Sequence, residues 1–234
     1  NNGKGQFSDA TNKLPNVIGS CNSVTSADYD QDGDLDLFVA GRILPGKYPD
    51  IGIRSFLLKN EGGVFKDATQ SDAPALVMPG MICEGIFTDY NNDNLPDLML
   101  VGEYTPIVFM KNIGGKFEFA SKETQTLDFS GWYNSICPLD IDNDGDMDYV
   151  VSNKGRNSFI RASKNEPVHV YWTDVDGNGR TDFFLSYTKD GGKYPLYSLD
   201  EMAQIIPKYM SKKYTNYASF VGQTMEDIFG DKLK

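Results

Sequence analysis

Asp28, Asp30, Asp32, Asp34 and Asp36 alternate through the stretch DYDQDGDLD, five carboxylates in nine residues. Crowding of this kind opposes ionisation of each member unless a cation sits among them. Three further segments share the frame: Asp89, Asn91, Asp93 and Asp97 in DYNNDNLPD, Asp140, Asp142, Asp144, Asp146 and Asp148 in DIDNDGDMD, and Asp174, Asp176, Asn178 and Asp182 in DVDGNGRTD. In register, each segment offers a side-chain oxygen at positions 1, 3, 5 and 9, and neither sulfur nor imidazole. Hard oxygen donors select hard cations, and a flexible loop suits Ca²⁺, with its roughly six to eight ligands, better than Mg²⁺ with its strict octahedron. Position 6 is Gly33, Asn94, Gly145 or Gly179, residue types that accept a left-handed backbone. A turn there aims the carbonyl of position 7 inward, so Asp34, Leu95, Asp146 and Arg180 are ligand candidates through the backbone while their side chains vary.

The expectation is up to four Ca²⁺ ions. Loops one and three, with four carboxylates each at the ligand positions, should bind tightest, and loop four, with an amide and Arg180, weakest. One such loop alone would read as an ordinary Asp/Asn-rich turn; four in register favour calcium. An EF-hand is not expected, since it needs flanking helices and a glutamate closing its loop.

The flanks here are strands. Each acidic segment runs into a short β-branched or aromatic stretch, LDLFVAG, LMLVGE, YVVSN or FFLSY. A second marker, NGKGQF at Asn2–Phe7, NEGGVF at Asn60–Phe65 and NIGGKF at Asn112–Phe117, reads as a glycine hairpin. The acidic loops start 61, 51 and 34 residues apart and the hairpins 58 and 52 apart, so two unrelated signals share one period. A unit of strand, acidic loop, strand, connection, strand, hairpin and strand is a four-stranded antiparallel blade of a β-propeller. The expected organisation is the last hairpin of a preceding blade at 1–11, blades at 12–69 and 70–121, a short blade at 122–165, a partial blade at 166–198 and a helical segment at 199–234. The fold class is all-β: a partial propeller or fragment of about four repeat units with short C-terminal α-helices, part of a longer chain. A small four-bladed ring closed by residues 1–11 is the alternative. SLDEMAQIIPKYMSKKY has a Ser198/Glu201 capping box and apolar residues at helical spacing, and Thr224 is placed to cap MEDIF. These helices should pack on the sheets.

Sixteen of the 33 acids lie in the four loops, leaving 17 against at most 22 basic residues, so the net charge of −11 belongs to the loops. No basic stripe is present, which argues against nucleic acid as a partner. No apolar run is long enough for a membrane span, and the first residues lack the apolar stretch of a secretion signal, so the expectation is that either a signal was removed or the sequence begins inside a longer protein. Cys21, Cys83 and Cys137 form no Cys-x-x-Cys pair and read as small buried hydrophobes.

The Asp-x-Asp-x-Asp-Gly-x-x-Asp frame between blade strands resembles the FG-GAP/VCBS repeat of integrin-like β-propellers. More narrowly, GWYNSICPLDIDNDGDMDYVVSN, LLKNEGGVFKDAT and the run from VYWTDVDGNGRTDFFLSY to GGKYPLYSLDEMAQIIPKY are similar to Bacteroidetes-type ASPIC/UnbV-associated VCBS repeat proteins. The resemblance implies a calcium-stabilised propeller on the outside or outer-membrane surface of a bacterium, acting in adhesion or binding of a glycan or protein ligand. The departures at Asn91, Asn94, Pro96 and Asn178 bear on metal affinity more than on fold.

Catalysis finds little support. The one histidine, His169, lies in a strand-like PVHVYW, and no Gly-x-Ser-x-Gly or His-Glu-x-x-His accompanies it. GRILPGKY nearly matches a phosphate loop, but Tyr48 stands where a Ser or Thr would hold Mg²⁺, so the segment reads as a loop. Carboxylates that chelate calcium are not available as acids or bases. The expectation is therefore a binding module and no enzyme, with Trp132 and Tyr133 as residues able to stack on a sugar ring. By analogy with propeller-type polysaccharide lyases, a glycan-active enzyme is the alternative.

Overall fold

The computed structural model describes residues 2–45, 48–49, 54–155, 158 and 160–233. Gly46 and Lys47 of the GRILPGKY segment lie outside this range, and its first three residues end a strand. The chain divides into two compact units, Asn1–Asn153 and Lys154–Lys234.

The first unit contains two sheets. β1 (Ser20–Ala27), β2 (Asp36–Ile43), β3 (Phe56–Glu61) and β4 (Val64–Asp67) form an antiparallel meander in sequence order. A helical turn, α1 (Thr69–Asp72), leads on towards the second sheet. There β5 (Met81–Thr88), β6 (Asp97–Pro106), β7 (Val108–Asn112) and β8 (Phe117–Phe119) repeat the pattern. After the short α2 (Ser121–Thr124), β9 (Ser130–Leu139) pairs with the far end of β6, placing Trp132 opposite Glu103, and β10 (Asp148–Asn153) pairs with β9. β6 is central and almost wholly buried, which explains the unbroken apolar run LMLV in place of alternation.

One core joins the two sheets: Phe38, Leu57, Ile82, Leu98, Leu100 and Met110 pack with Tyr29 and Phe117. A second cluster, including Met99, Phe109, Tyr133 and Ile136, seats β9 and β10 on the second sheet. At about 25 cal/mol per Å² of apolar surface removed from water, this burial drives the stacking of successive sheets. Consecutive antiparallel sheets joined by short links are consistent with an FG-GAP β-propeller-like fold. No closed ring is formed by the described residues. The N-terminal segment is a tight turn among the described residues. Residues 2–7 fold into a turn held by Asn2, whose Oδ1 accepts the N–H groups of Lys4 and Gln6, and among the described residues they pair with no strand.

In the second unit, β11 (Val168–Thr173), β12 (Asp182–Lys189) and β13 (Gly192–Pro195) form a three-stranded antiparallel sheet. α3 (Leu199–Ile205), α4 (Pro207–Lys213), α5 (Tyr217–Phe220) and α6 (Met225–Phe229) complete the unit. Phe184 and Val175 from the sheet side share a core with Met202, Ile206, Met210, Ile228 and Phe229. Both expected N-caps form as capping boxes, Ser198 with Glu201 and Thr224 with Asp227. The helical run from Ser198 is not continuous: Ile206 leaves helical geometry at φ −130°, ψ 68°. Pro207 disfavours the α conformation of the residue before it and supplies no N–H, so it starts α4 instead of extending α3. Among the described residues no helix is long and apolar enough to cross a membrane, a statement that leaves strands aside.

Cys83 is buried as expected, but Cys21 and Cys137 are exposed. Cys21 sits on β1, the edge strand of its sheet, and Cys137 on a stretch of β9 whose residues face water on either side of the buried Ile136.

Candidate metal centres

All four acidic loops join consecutive antiparallel strands, and in each the ninth residue is the first of the following strand. The registers Ala27–Asp36, Thr88–Asp97, Leu139–Asp148 and Thr173–Asp182 close them identically. Nine residues spanning one such closure must coil, and the backbone does so with two left-handed residues. Position 6 is left-handed in all four loops: Gly33 at 95°, Asn94 at 67°, Gly145 at 94° and Gly179 at 80°. Position 4 is left-handed as well, at Gln31, Asn92, Asn143 and Gly177.

A recurrent set of hydrogen bonds holds this coil. The position 1 carboxylate accepts the N–H groups of positions 5 and 6: Asp32 and Gly33 donate to Asp28, Asp93 and Asn94 to Asp89, Asp144 and Gly145 to Asp140, and Asn178 and Gly179 to Asp174, at 2.8–3.2 Å. Position 5 accepts the N–H of position 7, as in Asp34 to Asp32 and Arg180 to Asn178. Position 9 accepts the N–H of position 2, as in Tyr29 to Asp36, Ile141 to Asp148 and Val175 to Asp182. Backbone N–H groups, with Gly179 first, hold the Asp174 carboxyl below its ordinary range.

The remaining oxygens converge. Carboxylate oxygens lie within 4.8 Å of one another in the groups Asp28–Asp30–Asp32, Asp89–Asp93–Asp97, Asp140–Asp142–Asp148 and Asp174–Asp176–Asp182. Asp36 and Asp144 stand outside these groups. The position 7 acids turn elsewhere: Asp34 accepts the Gly62 N–H at 3.0 Å, and Asp146 accepts Asn92 Nδ2 at 2.8 Å, so loops two and three touch. Leu95 and Arg180 can contribute only their carbonyls. Asn91 donates through Nδ2 to Asp97 Oδ2 at 2.9 Å and accepts the Asp93 N–H at 3.0 Å.

The donor set fits a hard divalent cation in three respects. Every convergent atom is a carboxylate oxygen. Asp30 Oδ1 is buried with no hydrogen-bond partner, a costly condition that a metal ion would relieve. Loop one also contains a stand-in cation: the Lys59 ammonium ion-pairs with Asp30 Oδ2 and lies 3.4 Å from Asp32 Oδ2. Hydrogen bonding to Asp30 raises the Lys59 pKa above its ordinary value and keeps it charged. Lys111, in the same place ahead of its hairpin, lies 3.8 Å from Asp93 in loop two. Burial pushes Asp36 and Asp97 up to about 6, a penalty on the carboxylate that a nearby cation would reverse.

Position 9 also explains why the two sequence markers share a period. Asp36 Oδ1 accepts the N–H of Asn60 at 2.7 Å and Asp97 Oδ1 that of Asn112 at 2.7 Å, so the acidic loop and the Asn-x-Gly-Gly hairpin are fastened to one carboxylate. Each asparagine then folds its own hairpin through Oδ1, to Gly63 and Gly115. Fully buried Asn112 adds Nδ2 bonds to the carbonyls of Tyr29, in loop one, and Pro96. At Gly115, with φ +87°, a Cβ would come 3.1 Å from the Cβ of Asp30, so this hairpin rests against loop one.

The two aromatic candidates part company. Adjacent strand residues face opposite sides of a sheet. Tyr133 is buried, its hydroxyl bonded to the Phe129 carbonyl at 3.0 Å, and so is withdrawn from any ligand. Trp132 is half-buried, its ring centroid 4.9 Å from that of Tyr104. Nearby, Glu103 is buried and accepts from Arg42 and from the Tyr48 hydroxyl at 2.6 Å. That cluster gave no signal in the sequence, because its members are scattered over two strands and a loop.

Residues 1–39 and 89–151, together under half of the chain, match the sequence model of the FG-GAP-like repeat family. The matched segments hold loops one, two and three, and they support an FG-GAP repeat protein. No curated protein matches the chain.

Proposed function

We propose that the chain is a calcium-stabilised, non-catalytic binding or adhesion module that works outside the cell, of the ASPIC/UnbV-associated type, with a glycan or protein ligand. FG-GAP repeats are generally extracellular binding modules, and the observation that carries the calcium reading is the fourfold convergence of carboxylates within 4.8 Å at equivalent points of the repeat. The residues that would hold Ca²⁺ are those of the four convergent groups, joined by the side-chain oxygens of Asn91 and Asn178 and the carbonyls of position 7. The ion supplies positive charge to a coil whose acids otherwise repel. The chain's own part is to fix that coil with backbone bonds so that the oxygens already point at one another.

A propeller-type polysaccharide lyase or other glycan-active enzyme is the alternative reading. Thermal unfolding with and without chelator tests the calcium reading. Calcium at about 100 times its dissociation constant should add roughly 2.7 kcal/mol per site, so removal should lower Tm by many degrees. A melting curve indifferent to chelator would refute it. Incubation with uronate-containing polysaccharides should give no unsaturated uronate product absorbing in the far ultraviolet, and turnover would refute the non-catalytic reading.

A further inference from the structure

The second unit carries a groove that the calcium loops do not use, of about 510 Å³ and lined by four tyrosines. Its floor is set by a hairpin. Asp190 and Gly191 are both left-handed, at φ 49° and 80°, the requirement of a tight type I′ turn. That turn fixes the register of β12 and β13, placing Tyr187 opposite Tyr194, and the two rings stack with centroids 5.6 Å apart and planes 30° apart. Across from them, Tyr217 at the start of α5 is held by its hydroxyl, which donates to Asp200 Oδ2 at 2.6 Å. Tyr197 is held edge-on by Phe184. The rings are therefore positioned before any ligand arrives, which lowers the entropic cost of binding.

Tyr187 and Tyr217 keep substantial exposure, 36% and 48%, where buried core tyrosines would not. Lys189, Asp190, Ser198 and Gln223 also line the groove and offer hydrogen-bond donors and acceptors, with one positive charge balanced by one negative. Ring faces beside mixed donors and acceptors, without net charge, match a pyranose: C–H bonds on one face, hydroxyls around the edge. An anionic ligand would require an unopposed cation.

We propose that this groove binds neutral pyranose units of an oligosaccharide. The proposal rests on the binding-module reading and names its ligand class and place. It is tested with the calcium-loaded full chain, by calorimetric titration with cello-, manno-, xylo- and laminari-hexaose and with hexagalacturonate as the anionic control. At least one neutral hexaose should bind. Tyr187→Ala and Tyr217→Ala should each weaken it at least tenfold while the variants still unfold cooperatively with a Tm only modestly lowered by the lost ring contact or hydrogen bond, and Tyr187→Phe, which keeps the ring, should retain it. Tyr217, on a helix and outside the sheet, guards against a folding defect in the strand variant. Binding that survives both alanine variants, or a preference for hexagalacturonate, overturns the groove assignment and leaves the module reading standing. Failure of all neutral hexaoses also overturns it; if a cell-surface protein is then captured through Tyr187, the groove is a protein-docking site, whereas no binding of glycan or protein would defeat the module reading as well.

Discussion

Lys59 stands where the sequence would place a metal ion. The nine residues of loop one contain five aspartates, and their spacing alone points to a cation. It cannot show that a lysine from β3 reaches into the same cage, because that contact joins positions far apart in sequence. The consequence bears on loop one alone: calcium would have to displace a resident ammonium there, but would meet no ion-paired lysine in loops three and four among the described residues, so loop one should bind more weakly than loop three despite its equal carboxylate count. Lys59→Met should therefore tighten calcium binding at loop one by about tenfold, or ~1.4 kcal/mol, read by calorimetry against the parent, and should lower the Tm of the calcium-free protein. Unchanged affinity would show that Lys59 is no competitor. Asn112 gives the complementary case of a polar residue whose value lies in being satisfied. Asn112→Ala removes three side-chain hydrogen bonds, two of them buried, and should cost about 2–4 kcal/mol in urea unfolding; a loss under about 1 kcal/mol would mean that the hairpin and the loop are not fastened through its side chain. Position 6 was legible from residue type, because glycine and asparagine advertise a left-handed backbone. Position 4 was less so, since Gln31 adopts the same conformation without the usual residue type.

At the scale of elements, periodicity and capping were readable and burial was not. The strand, loop, strand and hairpin order can be seen in β1–β4 and β5–β8, because short β-branched runs between turn residues have few other solutions. The break between α3 and α4 follows from Pro207, a local signal outweighed at first by the apolar spacing that runs through it. The exposure of Cys21 and Cys137 depends on which strands lie beside them, which no local pattern records. The β11–β12 pairing supplies a pH test. His169 Nε2 lies 3.0 Å from Thr188 Oγ1, whose own proton goes to the Pro167 carbonyl, so the imidazole donates. Burial first, and Lys193 second, lower its pKa below the ordinary 6.5. The folded chain then binds fewer protons than the unfolded chain just below that value, so stability is retained above about pH 6.5 and declines as pH falls through it. His169→Gln should flatten this part of the profile in calcium-loaded protein; an unaltered slope between about pH 7 and 5 would place the acid sensitivity elsewhere.

For the whole molecule, the acids are sited more than they are abundant. Four divalent ions would take the formal charge from −11 to −3, removing most of the self-repulsion that a compact chain of this composition carries. The sequence made the repeat and the donor chemistry visible because both are encoded in short stretches. The tyrosine groove was hidden, since Tyr187, Tyr194 and Tyr217 lie on a hairpin and a helix separated in sequence and meet only in the lining of one groove. The central claim is that the four loops are calcium sites, and the most direct measurement is a calorimetric titration of decalcified chain with Ca²⁺. Saturable binding of more than one and at most four ions per chain is predicted, with Asp140→Ser and Asp174→Ser each removing one site. No binding at millimolar calcium, or a stoichiometry unmoved by those substitutions, would contradict it.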